Sequence, residues 1–298
     1  MQRNESPADV DDQYTSTPKR VGSDLSLVNF PVEIQPYIQG DLAQAYLDLC
    51  RGRPQSPITQ FHLLKTLRLL QKRLDMPDDP CSISDATIMV VSVLALIAEH
   101  GGDVDAVRNH MQGLRRMVDL RGRLEMLRFE NSRLPAKVCR VDLSLAFRFG
   151  TKPMFFSDAL SWEPFIWDGG LIGGSSKFVG TNEDVSVFIK TLDEKMINIW
   201  NDLREFAWIS NLAQTTYKLQ PNTFSEIMVS VLYRLLNFSF PEGPILEAMR
   251  LAMTVFAAGI FFQWRGIRQR LSCLDDDLQG TLLKLKTSEI CAPPMLIA

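Results

Sequence analysis

The chain has 298 residues, 46% hydrophobic and 22% charged, with a formal net charge of -3. That length is enough for one large core. The acidic balance argues against a surface built to grip duplex DNA, because such domains usually present a basic face. The five cysteines, Cys50, Cys81, Cys139, Cys273 and Cys291, lie far apart, and no C-x-x-C pair occurs. Zinc-ligand spacing and a secreted disulfide framework are therefore not expected, and Cys139 reads as core.

Residues 1–25 are polar and acidic, without the apolar run of a secretory signal, and predict a disordered tail. Prolines and glycines from Pro31 to Pro57 mark the entry to a folded region spanning 26–290, with a tail over 291–298. A short helix is expected from Asp41 to Cys50, with Asp41 as cap. The next starts near Thr59 with Phe61, Leu64, Leu67 and Leu74 on one side, and ends before Pro77 and Pro80. The stretch Ser84–His100 is apolar on nearly every face. It is too long for a typical strand and suits a helix in the middle of a bundle. Gly101 and Gly102 stop it, and Asp103 caps the following helix. There Val104, Val107, Met111, Leu114 and Val118 form one apolar stripe, and Gly113 leaves room for a neighbouring helix.

Gly122 falls where a left-handed cap belongs. A short helix follows over Leu124–Phe129. Pro135 opens another, with Val138, Val141, Leu145 and Phe149 repeating at helical spacing. From Gly150 to Thr181 the pattern fails in a long Gly/Pro-rich excursion. Helices are then expected over Glu183–Tyr217 with one break, Asn222–Phe238, Pro244–Leu271 and Asp275–Lys286. The apolar stretches Ala86–Ala98 and Leu251–Phe262 fall short of a bilayer span and predict core helices. The fold class is all-α: an irregular multi-helix domain with one long loop.

Chemistry-bearing motifs are sparse. The only histidines are His62, His100 and His110, and H-E-x-x-H is absent. His110 adjoins the apolar stripe and reads as a half-buried, satisfied histidine. GGLIGGSSK (Gly169–Lys177) has Ser175 where a phosphate loop needs lysine. Asp275–Asp277 and Asn201–Asp202 lack the companions of a metal motif, and the former suit a helix N-terminus. Arg265, Arg268 and Arg270 suit a helix C-terminus. Lys19-Arg20 is a minimal nuclear-localisation candidate. No catalytic, cofactor-binding or metal-ligating residue is assigned.

The order of residues in Met89–Phe155 resembles the regulatory, middle homology region of fungal binuclear zinc cluster transcription factors. The resemblance lies in VLALIAEHGGDVDAVRNHMQGLRRMVDLRGRLEML (Val93–Leu127) and LPAKVCRVDLSLAFRFGTKPMF (Leu134–Phe155). RLAMTVFAAGIFFQWRG (Arg250–Gly266) is similar to a C-terminal helix of the same family. The resemblance implies an all-α regulatory domain acting in the nucleus. Such factors carry an N-terminal module of six cysteines that binds zinc and reads DNA, whereas residues 1–49 here contain none. The expectation is therefore a transcription-regulatory protein, not an enzyme, without direct DNA binding, zinc or membrane attachment. It would act through protein partners, a full-length regulator of the same family among them, or through a small-molecule effector. The alternatives are a helical enzyme with an unrecognised site and a truncated zinc cluster factor.

Overall fold

The computed structural model describes residues 42, 45, 46, 48, 49, 52, 53, 56–76, 79–131, 133–156, 187–189, 192–213, 221–241, 243–262 and 271–287. Among them are nine α-helices and one 3-10 turn, with no strand, so the chain is all-α. In chain order these are α1 (Pro57–Leu74), the 3-10 turn Pro80–Ile83, α2 (Asp85–His100), α3 (Val104–Leu120), α4 (Arg123–Glu130), α5 (Leu134–Phe149), α6 (Glu194–Ala213), α7 (Pro221–Asn237), α8 (Pro244–Phe261) and α9 (Ser272–Thr287).

Helix starts follow local chemistry. Side chains of Ser56, Ser84 and Asp103 accept from the backbone N–H of Thr59, Thr87 and Ala106, satisfying donors that a first helical turn leaves open. Gly102 and Gly122 take positive φ at the turns after α2 and α3, a conformation that a side chain would strain. The α2–α3 turn is short, so the two helices lie against each other as an antiparallel pair, the most extensive contact between the described helices. Leu94, Leu114 and Val118 share one core, as the spacing predicts.

α5 is the hub. It touches α2 and α4 on one side and α7 and α9 on the other, while α6, α7, α8 and α9 pack in sequence. The α2–α5 and α6–α9 halves therefore share one apolar cluster. α8 is long and apolar enough to cross a membrane by length and composition alone. It lies against α7 and α9, with Ala257, Ala258 and Phe261 buried. The expected break in the Glu183–Tyr217 region falls at Leu192–Asp193, just before α6.

Several expectations need correction. Phe61 and Leu64 do not face the core; they are 61% and 55% exposed, and α1 instead turns Thr59, Thr66 and Leu70 inward. Val104 and Phe149, at helix ends, are exposed rather than part of the buried stripes. Among the described residues nothing lies within 4 Å of where a Gly113 side chain would stand, so no described helix makes a close approach there. The Asp41 cap, the Gly169–Lys177 loop, Lys19-Arg20, Cys50, Cys291 and the Arg265, Arg268 and Arg270 group lie outside the described residues.

Candidate functional site

Arg115 and Asp142 of the resembling block and Tyr233 beyond it, far apart in sequence, meet at one polar node between α3, α5 and α7. Asp142 is buried on α5. Its Oδ1 accepts from the Met154 backbone N–H, and its Oδ2 from the Phe155 N–H, each at 2.9 Å; the Tyr233 hydroxyl of α7 donates to Oδ2 at 2.7 Å. Arg115 of α3 closes the node from outside. Its Nη1 donates to the Met154 carbonyl at 2.7 Å, its Nε pairs with Asp119 at 2.9 Å, and its guanidinium stacks 5.4 Å from the Phe155 ring centroid. Arg115 is thus half-covered and tied to the chain leaving α5.

This node positions backbone. Burial pushes the Asp142 carboxyl up from its ordinary range, against the Tyr233, Met154 and Phe155 donors that favour the anion. Burial likewise pushes the Cys139 thiol, beside Tyr233, up to about 12 and the Tyr233 phenol well above its usual value. A thiol held protonated is a poor nucleophile at neutral pH. The arrangement can anchor the segment after α5 and weld α5 to α7.

A second buried polar contact joins α6 to α7. Arg234, fully buried, pairs with Asp202 and donates from Nε to the Ser230 carbonyl at 3.2 Å. Asp202 is therefore an ion-pair partner in the core, not part of a metal motif. On α8, Arg250 opens the second resembling stretch. It donates from Nη1 to the Leu235 carbonyl at 3.0 Å and pairs with Glu247, holding the α7–α8 corner.

The remaining residues flagged in the sequence do not come together. His110 is half-buried, and burial lowers its pKa with Asp103 opposing. His100 Nδ1 contacts the Leu96 carbonyl at 3.0 Å, and its ring meets Tyr46 edge-on. His62 is half-buried beside Phe61 on α1. Asp275–Asp277 stand exposed in the first turns of α9. Cys81 is exposed, Cys139 buried and Cys273 intermediate. Among the described residues no group of three metal-ligating side chains converges.

Two further features are not evident from the sequence. Arg133 at the cap of α5 and the half-buried Lys137 and Arg140 within it fall on one helix face at i, i+4 and i+7. Arg140 stacks 4.6 Å from the Phe261 ring centroid. Burial, then repulsion from Arg140 and Arg133, lowers the Lys137 amine to about 7. The second feature is the outer face of α1. Ile58, Phe61, Leu64 and Leu69 are 67%, 61%, 55% and 40% exposed. Exposed Lys65, Arg68 and Lys72 lie among or beyond them, and α1 contains no acidic residue. The absence of carboxylates from a helix in an acidic chain was the available signal.

No family model matches this chain, and neither the curated proteins nor the solved structures contain a match.

Proposed function

We propose that the chain is a transcription-regulatory domain that works in the nucleus by binding protein partners, without catalysis and without contacting DNA itself. The resemblance of Met89–Phe155 and Arg250–Gly266 to the middle homology region supports the regulatory role. Partner binding rests on the outer face of α1, where four large apolar side chains stand in solvent beside basic ones. A contiguous exposed apolar patch rimmed by charge is the usual mark of an interaction surface. The polar groups of the resembling block, by contrast, are used within the fold: Asp142 and Arg115 hold backbone.

The test is tethering. The full chain fused to an unrelated DNA-binding domain should change expression of a reporter carrying that domain's site in a yeast nucleus. Phe61→Asp should abolish the change at equal protein level. A reporter that ignores the fusion would overturn the regulatory reading. A fusion equally active with Phe61→Asp would overturn the role of α1.

A further inference from the structure

We propose that the outer face of α1 is a docking strip for an acidic amphipathic helix of a partner protein, with apolar anchoring at its N-terminal half and charge capture at its C-terminal half. This deepens the partner-binding reading above and rests on it for biological meaning.

The strip follows from helix geometry. With 3.6 residues per turn, Thr59, His62, Leu63, Thr66, Leu67 and Leu70 cluster on one side of α1, and these are its buried or half-buried positions. Phe61, Leu64, Lys65, Arg68 and Lys72 fall on the opposite side, all exposed. From Ile58 to Lys72 the strip runs about 21 Å, at 1.5 Å per residue, a span that three to four turns of a partner helix would match.

Chemistry along the strip is not uniform. Ile58, Phe61 and Leu64 crowd the first half, which ends on Lys65; Arg68 and Lys72 dominate the second, with Leu69 between them. The last turn already carries Lys72 and Arg73, with no carboxylate within the helix to offset them. A second copy of this chain would set these cations against their own kind if parallel and against Ile58, Phe61 and Leu64 if antiparallel, so self-association is disfavoured. A helix lying in a lipid surface keeps its apolar sector along its whole length, with basic residues at the borders. Here the two chemistries are weighted toward opposite ends instead, three of the four apolar anchors preceding Lys65 and the cations Arg68 and Lys72 following it. That segregation calls for a partner with leucine-type anchors at one end and Asp or Glu at the other, so charge complementarity sets register as well as attraction.

The experiment uses the full chain and a labelled synthetic helical peptide of about five turns, with leucines at i, i+3 and i+4 in its first half and glutamates on the same face of its second. Its binding is read by fluorescence anisotropy at about 150 mM salt, where unspecific attraction is screened. The expected result is saturable binding that weakens tenfold or more with Arg68→Glu/Lys72→Glu and separately with Phe61→Ser. A peptide with lysine in place of glutamate should recover affinity for the charge-reversed variant only. All substituted positions are exposed, and unchanged melting temperatures would show that folding is intact.

Equal binding by wild type and charge-reversed protein would overturn the proposal. So would no peptide binding together with co-sedimentation on phosphatidylserine vesicles, or a dimer lost with Phe61→Ser. Peptide binding without a reporter response would leave the docking strip standing and remove the regulatory reading. A reporter response without peptide binding would do the reverse.

Discussion

Tyr233 donates its hydroxyl proton to Asp142 across 2.7 Å, joining residues 91 apart in the chain at the seam between the two helical halves. The same carboxylate accepts from the Met154 and Phe155 backbone, so one side chain fixes both a helix pair and the path of the chain beyond it. Tyr233→Phe should cost about 1.5–2 kcal/mol, the lower part of the range for a hydrogen bond to a charged acceptor. Asp142→Ala should cost more, about 3 kcal/mol, because two backbone N–H groups and a buried hydroxyl lose their acceptor. Urea denaturation of both variants checks the order; an Asp142→Ala protein as stable as Tyr233→Phe would contradict it.

Leu114 is completely buried and Leu94 nearly so, on facing helices. Alanine at either should cost about 2–5 kcal/mol. Val104, half exposed, should tolerate alanine within about 0.5 kcal/mol. Arg115→Ala should fall between, at about 1–2 kcal/mol, since it removes a bond to the Met154 carbonyl and a stack on Phe155 as well as a weak surface ion pair. Thermal melts of the four variants rank them. A core variant that melts with the parent would relocate the core.

The Arg234–Asp202 pair lies in a place where charge is costly. Arg234 Nη1 has no hydrogen-bond partner among the described residues, and the residue is fully buried. Asp202→Ala strands the guanidinium and should cost about 3–5 kcal/mol. The double variant Asp202→Leu/Arg234→Met should be more stable than Asp202→Ala alone, because it removes the buried charge altogether. A double variant less stable than the single one would mean that the stranded guanidinium costs little, because water or another acceptor satisfies it.

Lys137 sets a pH dependence with a definite sign. In the unfolded chain its amine takes up a proton below its ordinary 10.5, whereas in the folded protein it waits until about 7. Between those values the unfolded state binds more protons, so this residue's contribution falls as pH drops from about 10.5 to about 7 and is level below. Lys137→Met removes that slope and should raise the melting temperature by about 2–4 °C at neutral pH, a gain near ~1 kcal/mol. The gain should vanish above the ordinary lysine range. Melts of both proteins at neutral and alkaline pH decide it; a variant less stable at neutral pH would mean that the amine is held by an acceptor.

The readable parts of this fold were those encoded within one or two turns. α2 announces itself because nearly every position is apolar, and Asp103 because a short acceptor precedes a helical stripe. The face of α1 was misread for a physical reason. Phe61 and Leu64 are larger and greasier than Thr59 and Thr66, and spacing alone does not reveal that the threonines turn inward. The Asp142 node was hidden for another: its donors come from residues 154, 155 and 233, and no local period relates them. Lys137 was equally silent, since its low proton affinity arises from burial and from cations one or two turns away.

Because α5 is the shared wall of both halves, the described helices should behave as one cooperative unit despite the long stretch separating α5 from α6. A break in that stretch would not release two stable pieces. The N-terminal piece would bare the side of α5 that meets α7, with Asp142 lacking its phenol; the C-terminal piece would keep Tyr233 with no carboxylate to meet. Each piece alone would be poorly folded, and mixing them would regenerate the native assembly by fragment complementation, much as a cut chain reassembles around an intact core.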